Sequence, residues 1–214
     1  MFGLTMSYAM LHSLDLRDTL SWVIQDIHSQ GWAQGTGGNF SAVISRTPLT
    51  LLMAPSGIDK GLVQPEDLIE VDGEGTVVQG KGRTSAETLL HLTIVKETGA
   101  GAVLHTHSVF NTLLSEYYAD RGKIMLSGYE MLKGLEGIQS HEETITIPVV
   151  PNSQDMKILS QSVRPFLSDT ARSYGFLVVG HGLYTWGDTL FHARRHLEIL
   201  EFLFELTYRK LTLR

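Results

Sequence analysis

Hydrophobic residues recur along the chain with two periods, one typical of helices and one typical of strands. Spacings of three and four residues predict amphipathic helices, whereas alternation and short apolar runs predict strands. The helical spacing covers residues 15–32, 84–99, 109–117, 154–173 and 188–214. The strand patterns cover residues 40–44, 49–53, 69–71, 77–78, 102–104, 144–150 and 176–179, with a short helical turn at 65–67. Because both kinds of element are mixed throughout, we predict one α/β sandwich with a central, largely antiparallel sheet.

Local signals refine two boundaries. Thr84-Ser85-Ala86-Glu87 has the spacing of a capping box, which predicts the start of the helix that ends at Gly99. Residues 1–10 are largely apolar but lack the basic flank and the small-residue cleavage site of a targeting signal. We expect residues 1–14 to be a frayed N-terminal extension of a domain formed by residues 15–214.

Composition narrows the classes of function. The net charge is −6, and no block of basic residues is present, which argues against a surface that follows nucleic-acid phosphates. No apolar stretch reaches the roughly 18–20 residues of a membrane span. We therefore expect a cytoplasmic protein that binds neither nucleic acid nor membrane. The chain has no cysteine but nine histidines, so any metal site must be built from histidine and carboxylate.

The strongest chemical signal is the segment His105-Thr106-His107. Residues i and i+2 of a strand face the same side about 6–7 Å apart, near enough to share one metal ion. His181, between two glycines just after the strand at 176–179, is a third candidate. Three neutral imidazoles with an open position are typical of catalytic zinc, although Mn²⁺, Fe²⁺ and Co²⁺ fit the same ligands. Each histidine alone also fits an ordinary hydrogen-bonded side chain, which is how we interpret His12, His28, His91, His141, His192 and His196.

Three short segments rich in Gly, Ser and Thr are candidates for holding a phosphate. Their backbone N–H groups, their hydroxyls and the start of a helix near Ser85 would supply donors, and Lys60 and Arg83 would supply charge. Each segment taken alone also fits an ordinary turn, and none matches a nucleotide-binding fingerprint. The segments are residues 35–41, 55–61 and 83–85.

Two glutamates are candidate acid/base groups. Glu87 fits either a helix cap or a site base, and Glu130 fits either a base or a solvated acid at a helix start. The spacing of residues in the sequence leaves these alternatives open.

The ordered set of motifs resembles the class II aldolase and epimerase superfamily over residues 16–206. The motifs are Gly37-Gly38-Asn39-Phe40-Ser41, Ala54 to Gly61, Thr84 to Glu87, Leu104 to His107, Gly128 to Gly134, Ile147 to Asn152, and Gly180-His181-Gly182 with Trp186-Gly187. The resemblance implies an α/β/α sandwich and one zinc ion per subunit, held by His105, His107 and His181. It further implies a phosphate site at Asn39, Ser56, Gly57, Lys60 and Ser85.

The segment around Glu130 is similar to that of dehydratases in this superfamily, in which such a glutamate is the acid/base. The resemblance therefore implies dehydration of a small sugar phosphate, 5-methylthioribulose 1-phosphate, to 2,3-diketo-5-methylthiopentyl 1-phosphate in methionine salvage. Glu87 occupies the position of the aldolase base, so a zinc-dependent aldolase or 4-epimerase is the alternative. For Glu87 itself, a fourth metal ligand, a second acid/base and a helix cap stay open. A metal-free interaction module with the same fold is a further alternative. The resemblance also implies a homotetramer with sites near subunit interfaces.

Overall fold

One nine-stranded sheet forms the centre of the protein. The computed structural model describes residues 15–167 and 173–213. The strands lie side by side in the order β4-β3-β2-β1-β5-β9-β8-β7-β6. All neighbours are antiparallel except β7 and β8, which confirms the predicted, largely antiparallel sheet. The strands are β1 (Asn39–Arg46), β2 (Leu49–Met53), β3 (Ile69–Asp72), β4 (Val77–Gln79), β5 (Ala102–Thr106), β6 (Lys123–Leu126), β7 (Ile145–Val150), β8 (Gly175–Val178) and β9 (Gly182–Gly187).

Five α-helices within the described residues cover the two faces of the sheet. They are α1 (Leu16–Ser29), α2 (Thr88–Thr98), α3 (Val109–Tyr117), α4 (Met156–Leu167) and α5 (Leu190–Thr212). One apolar core joins the sheet to α1, α3 and α5, and a second joins it to α2 and α4. Since each sheet face needs an apolar cover, these two cores make the α/β/α sandwich that was expected.

The structure also corrects several predicted elements. The helix predicted over residues 154–173 is observed as Met156–Leu167; Ser173 is not helical, and residues 168–172 lie outside the described part. The N-terminal extension at 1–14 lies outside it too. Strands β6 and β9 were not predicted. β9 is buried along its whole length, so it lacks the alternation that marks a half-exposed strand.

The strands in the middle of the sheet carry several candidate site residues. β5 lies between β1 and β9, with His105 opposite Asn39 on one side and opposite Tyr184 on the other. Side chains of paired residues project to the same face, so these three side chains lie together on the side covered by α2. No helix among the described residues is both long and apolar enough to cross a membrane.

Candidate active site

Three histidine side chains converge at the end of the central strands. His105 is on β5, His107 follows that strand, and His181 is in the turn between β8 and β9. The Nε2 atom of His105 lies 2.7 Å from Nε2 of His107 and 3.3 Å from Nε2 of His181. One nitrogen from each ring falls within 4.8 Å of the others, a separation that one metal ion can bridge. The structure therefore brings together the three residues that the sequence proposed as metal ligands.

A glycine makes this convergence possible. His181 stands between Gly180, whose φ is +62°, and Gly182, the first residue of β9. A Cβ atom at Gly182 would collide with the carbonyl oxygen of Thr106 and would lie 3.1 Å from the His105 ring. Only glycine therefore allows the turn that carries His181 to pack this closely against β5.

The hydrogen bonds of His105 suit a metal ligand. Its Nδ1 lies 2.8 Å from the carbonyl oxygen of Leu183, so this nitrogen carries the proton and Nε2 keeps a lone pair. Burial lowers the pKa of His105 well below its ordinary value and also lowers that of His107. Neutral rings whose Nε2 atoms point at one another are the donor set of a divalent metal, and the residues present fit that group.

Glu87 lies against the histidine cluster. Its Oε1 is 3.1 Å from Nε2 of His181, and its Oε2 is 3.5 Å from Nε2 of His105 and accepts a hydrogen bond from the side-chain amide of Asn39. Burial opposes ionisation, but the hydrogen bond from His181 and the nearby histidines hold the pKa of Glu87 well below its usual range. Glu87 is therefore a carboxylate at neutral pH.

The predicted capping box at Thr84 was wrong. Helix α2 begins at Thr88, and Glu87 occupies the N-cap position without a side-chain capping bond. The carboxylate is engaged by Asn39 and His181 instead, which leaves it unable to reach back to the chain at Thr84. This contact removes the helix cap from the roles that the sequence left open for Glu87.

Two further buried residues, Tyr184 and His91, lie beside the cluster in contact with each other, and the sequence analysis did not assign either to the site. The Tyr184 ring stacks on the His105 ring with centroids 3.9 Å apart and planes 9° apart. His91 is fully buried, and its Nδ1 lies 2.8 Å from Oγ of Ser41. His91 lies four residues after Glu87, and this helical spacing could have shown that it is near the site. No feature of the sequence around Tyr184 marked it as a site residue.

His91 should make the fold sensitive to mild acid. Burial lowers the pKa of His91 to about 4, against 6.5 for an ordinary histidine, so the unfolded chain binds the proton first as pH falls. The free energy of unfolding should decrease by about 3 kcal/mol between pH 6.5 and pH 4 because of this residue. Urea unfolding of the wild type and His91→Asn across this range measures it. The free energy of unfolding of the variant should fall less steeply with decreasing pH than that of the wild type, because the variant lacks the buried imidazole. Equal slopes would contradict the expectation.

The candidate phosphate segments lie together. The Ser56 amide donates to the Arg83 carbonyl at 2.9 Å, which joins two of the segments. Lys60 is buried, and its Nζ donates to the carbonyls of Thr36 at 3.0 Å and Ile58 at 3.1 Å. Burial lowers the pKa of Lys60, and the nearby carboxylate of Glu87 partly opposes this shift. The positive charge of Lys60 in turn helps to lower the pKa of His107. These contacts join the segments that bear Asn39, Ser56, Gly57, Lys60 and Ser85 to one another, and Asn39 and Lys60 link them to Glu87.

Glu130 is not part of this cluster. It begins the 3₁₀ helix Glu130–Gly134, its side chain is 68% exposed, and its ionic partners are Lys133 and His141. The hydrogen bond with Lys133 lowers the pKa of Glu130 below its ordinary value, so it is ionised at neutral pH. Among the described residues, no hydrogen bond or ion pair links Glu130 to the three clustered histidines or to Glu87.

Comparisons with known proteins agree with this geometry. The profile of the family described as Class II Aldolase and Adducin N-terminal domain matches residues 19–208. A methylthioribulose-1-phosphate dehydratase of Xylella fastidiosa (strain M12) is 42% identical over 94% of this chain and 91% of its own length. The dehydratase of that name from Xanthomonas campestris pv. campestris (strain 8004) is 41% identical over 97% and 94%.

Solved structures show the same architecture. The L-fuculose-1-phosphate aldolase of Thermus thermophilus superposes with a TM-score of 0.72 at 25% identity, covering 95% of this chain and 96% of that one. A sugar-phosphate aldolase of Thermotoga maritima gives a TM-score of 0.67 at 20% identity, covering 92% and 95%. The family profile matches nearly the whole chain, its motifs occur in order, and the three histidines meet at the strand ends. This chain therefore belongs to the class II aldolase family.

Proposed function

We propose that this chain is a zinc-dependent hydro-lyase that converts 5-methylthioribulose 1-phosphate to 2,3-diketo-5-methylthiopentyl 1-phosphate, as a cytoplasmic homotetramer. The observation that carries the proposal is the convergence of His105, His107 and His181 beside Glu87 in a chain 41–42% identical to proteins named for this reaction. The proposed metal is one Zn²⁺ per subunit, on these three histidines.

The chemistry supplied by such an ion, when bound, is polarisation of the substrate carbonyl at C2 and of the hydroxyl at C3, which acidifies the C–H bond at C3. Asn39, Ser56, Gly57, Lys60 and Ser85 are proposed to hold the phosphate. A fixed phosphate sets the register of the carbon chain, so that the base meets only one C–H bond.

Glu130 is proposed to be the acid/base. As a carboxylate it takes the proton from C3, and the resulting acid returns that proton to the hydroxyl that leaves C4. Water departs, and ketonisation of the remaining enol gives the diketone with no change in carbon count. Since Glu130 is exposed and makes no contact with the three clustered histidines of its own subunit in the described part of the chain, we propose that it acts at the site of a neighbouring subunit.

Glu87 keeps two of its roles in this proposal. Its contacts with His181 and His105 suit a fourth metal ligand or a second acid/base group. The same placement supports a second candidate function, a zinc-dependent sugar-phosphate aldolase or 4-epimerase, for which Glu87 would be the base.

The test is an assay of purified protein with 5-methylthioribulose 1-phosphate, with and without a chelator. Dehydration gives a diketone that keeps all carbons of the substrate, whereas an aldolase gives a three-carbon ketose phosphate from its own substrates. Diketone formation that stops with the chelator and returns with Zn²⁺ supports the proposal. Aldol cleavage or epimerisation would replace it with the second candidate, and a chain without bound transition metal after gentle purification would favour a metal-free interaction module.

A further inference from the structure

A carboxylate is buried on the side of the sheet opposite the histidine cluster. Glu201 lies on α5 and is 2% exposed, beside the fully buried Leu197, Leu200 and Phe204 of the same helix. A carboxyl group in apolar surroundings is costly unless hydrogen bonds replace its lost water. The groups that donate hydrogen bonds to Glu201 therefore indicate its role in the structure.

Three side chains from one short segment of the chain donate hydrogen bonds to Glu201. Its Oε1 accepts from the Thr106 hydroxyl at 2.9 Å and from the Asn111 amide at 2.8 Å, and its Oε2 accepts from the Ser108 hydroxyl at 2.5 Å. The Ser108 hydroxyl also accepts from the backbone N–H of Asn111 at 3.1 Å and caps α3. The carboxyl group is thereby fixed to residues 106–111.

This segment carries two of the three proposed metal ligands. Thr106 lies between His105 and His107, and Ser108 follows His107. Because strand side chains alternate, Thr106 points to the α5 side while His105 points to the α2 side with Tyr184. Glu201 thus holds the backbone on both sides of His107 from behind, without reaching the cluster itself.

We propose that Glu201 is a positioning residue for the metal site. Through Thr106 and Ser108 it fixes the spacing and direction of His105 and His107, so that their Nε2 atoms converge before a metal arrives. The inference rests on the proposed function, since it takes these histidines as ligands. Groups behind the ligands that fix their orientation typically change metal affinity by about 10–100-fold.

Three variants separate positioning from packing. Glu201→Leu keeps an apolar side chain of similar size but removes both acceptors. Glu201→Gln keeps one acceptor oxygen and can donate to Ser108; burial raises the pKa of Glu201 to about 7, so a neutral group is compatible with this position. Leu200→Ala is the matched control, because it removes a buried side chain from the preceding position of α5 and leaves the bonds to residues 106–111 intact.

The experiment is a titration of the metal-free full-length protein with Co²⁺ alone, followed by its visible absorption bands, with thermal unfolding of each variant. We expect Glu201→Leu to bind Co²⁺ about 10–100-fold more weakly and to alter the bands. Glu201→Gln should stay within about 3-fold of the wild type, a change below the range for losing such a group. Leu200→Ala should lower Tm without changing either Co²⁺ readout.

Several outcomes would overturn the inference. Wild-type Co²⁺ affinity and bands in Glu201→Leu would leave Glu201 a purely structural residue, as would equal losses in Leu200→Ala and Glu201→Leu. If Glu201→Leu does not fold, Thr106→Val and Ser108→Ala remove its donors one at a time, and unchanged Co²⁺ binding in both would be equally decisive. A wild-type protein that binds no Co²⁺ would instead refute the proposed metal site, on which the inference rests.

Discussion

His181→Ala is expected to lose its bound divalent metal and to lower kcat/KM by at least about 1000-fold, since metal polarisation contributes several kcal/mol to such reactions. His181 supplies one of the three ring nitrogens that lie within 4.8 Å of one another, and two imidazoles make a much weaker site. The fold should survive, because the Nδ1 atom of His181 has no hydrogen-bond partner in the described part of the chain and its side chain is 18% exposed. Metal content by mass spectrometry and turnover of the substrate measure the two effects.

A second histidine provides the control for that experiment. His192→Ala removes a partly buried imidazole on α5, whose ionic partner is Glu136 rather than any group of the cluster. It should keep one metal per subunit and nearly full turnover. A full complement of metal in His181→Ala would show that His181 is not a ligand.

Glu130→Gln is expected to lower kcat by about 100- to 10,000-fold, the usual contribution of a general acid/base, while metal content and Tm stay at wild-type values. The change keeps the shape of the side chain but removes the charge that could accept a proton. Little stability is at risk, because Glu130 is largely exposed and its ionic partners within residues 15–167 and 173–213 are the surface groups Lys133 and His141. Steady-state turnover, metal analysis and thermal unfolding together give the result, and full activity in Glu130→Gln would remove it from the mechanism.

Mixing the two inactive variants tests whether Glu130 serves a neighbouring subunit. When His181→Ala and Glu130→Gln subunits are co-assembled in equal amounts, about one quarter of the shared sites should contain both intact groups. Activity should therefore return to about a quarter of the wild-type value. Activity that stays at the level of the separate variants would place Glu130 and the metal in the same subunit or exclude Glu130 altogether.

The sequence predicted the fold well wherever a strand or helix shows its own period. The hairpin of β1 and β2 and the helices α1 and α5 follow from local spacing. β9 was missed because residues 182–187 are buried on both faces, so no alternation of apolar and polar positions marks them. Its β-favouring residues Tyr184, Thr185 and Trp186 form only a short run that is closed by glycine at both ends. The capping box failed for a different reason, since contacts of Glu87 with Asn39 and His181 outweigh a local capping preference.

The candidate site was predicted in part. His105 lies near the end of β5 and His107 directly follows that strand, so the two-residue spacing of extended chain was enough to place them together. Tyr184 and Glu201 carry no such signal, because each meets the segment around His105 only through pairing or packing between distant parts of the chain. In a single sequence, Glu201 is one acid next to an apolar stripe, and nothing in its neighbours distinguishes a buried acid from an exposed one.

The position of β5 between β1 and β9 has a consequence for folding. His105 is 76 residues from His181 and 78 residues from Leu183, so no short fragment of the chain can hold all three imidazoles. A metal on these ligands would bind the native state and not the unfolded chain, and its binding free energy would add to the stability of the whole sheet. At a free metal concentration 1000 times the Kd this amounts to about 4 kcal/mol. Metal supply would then govern how long the chain survives unfolding and proteolysis, in addition to whether it turns over substrate.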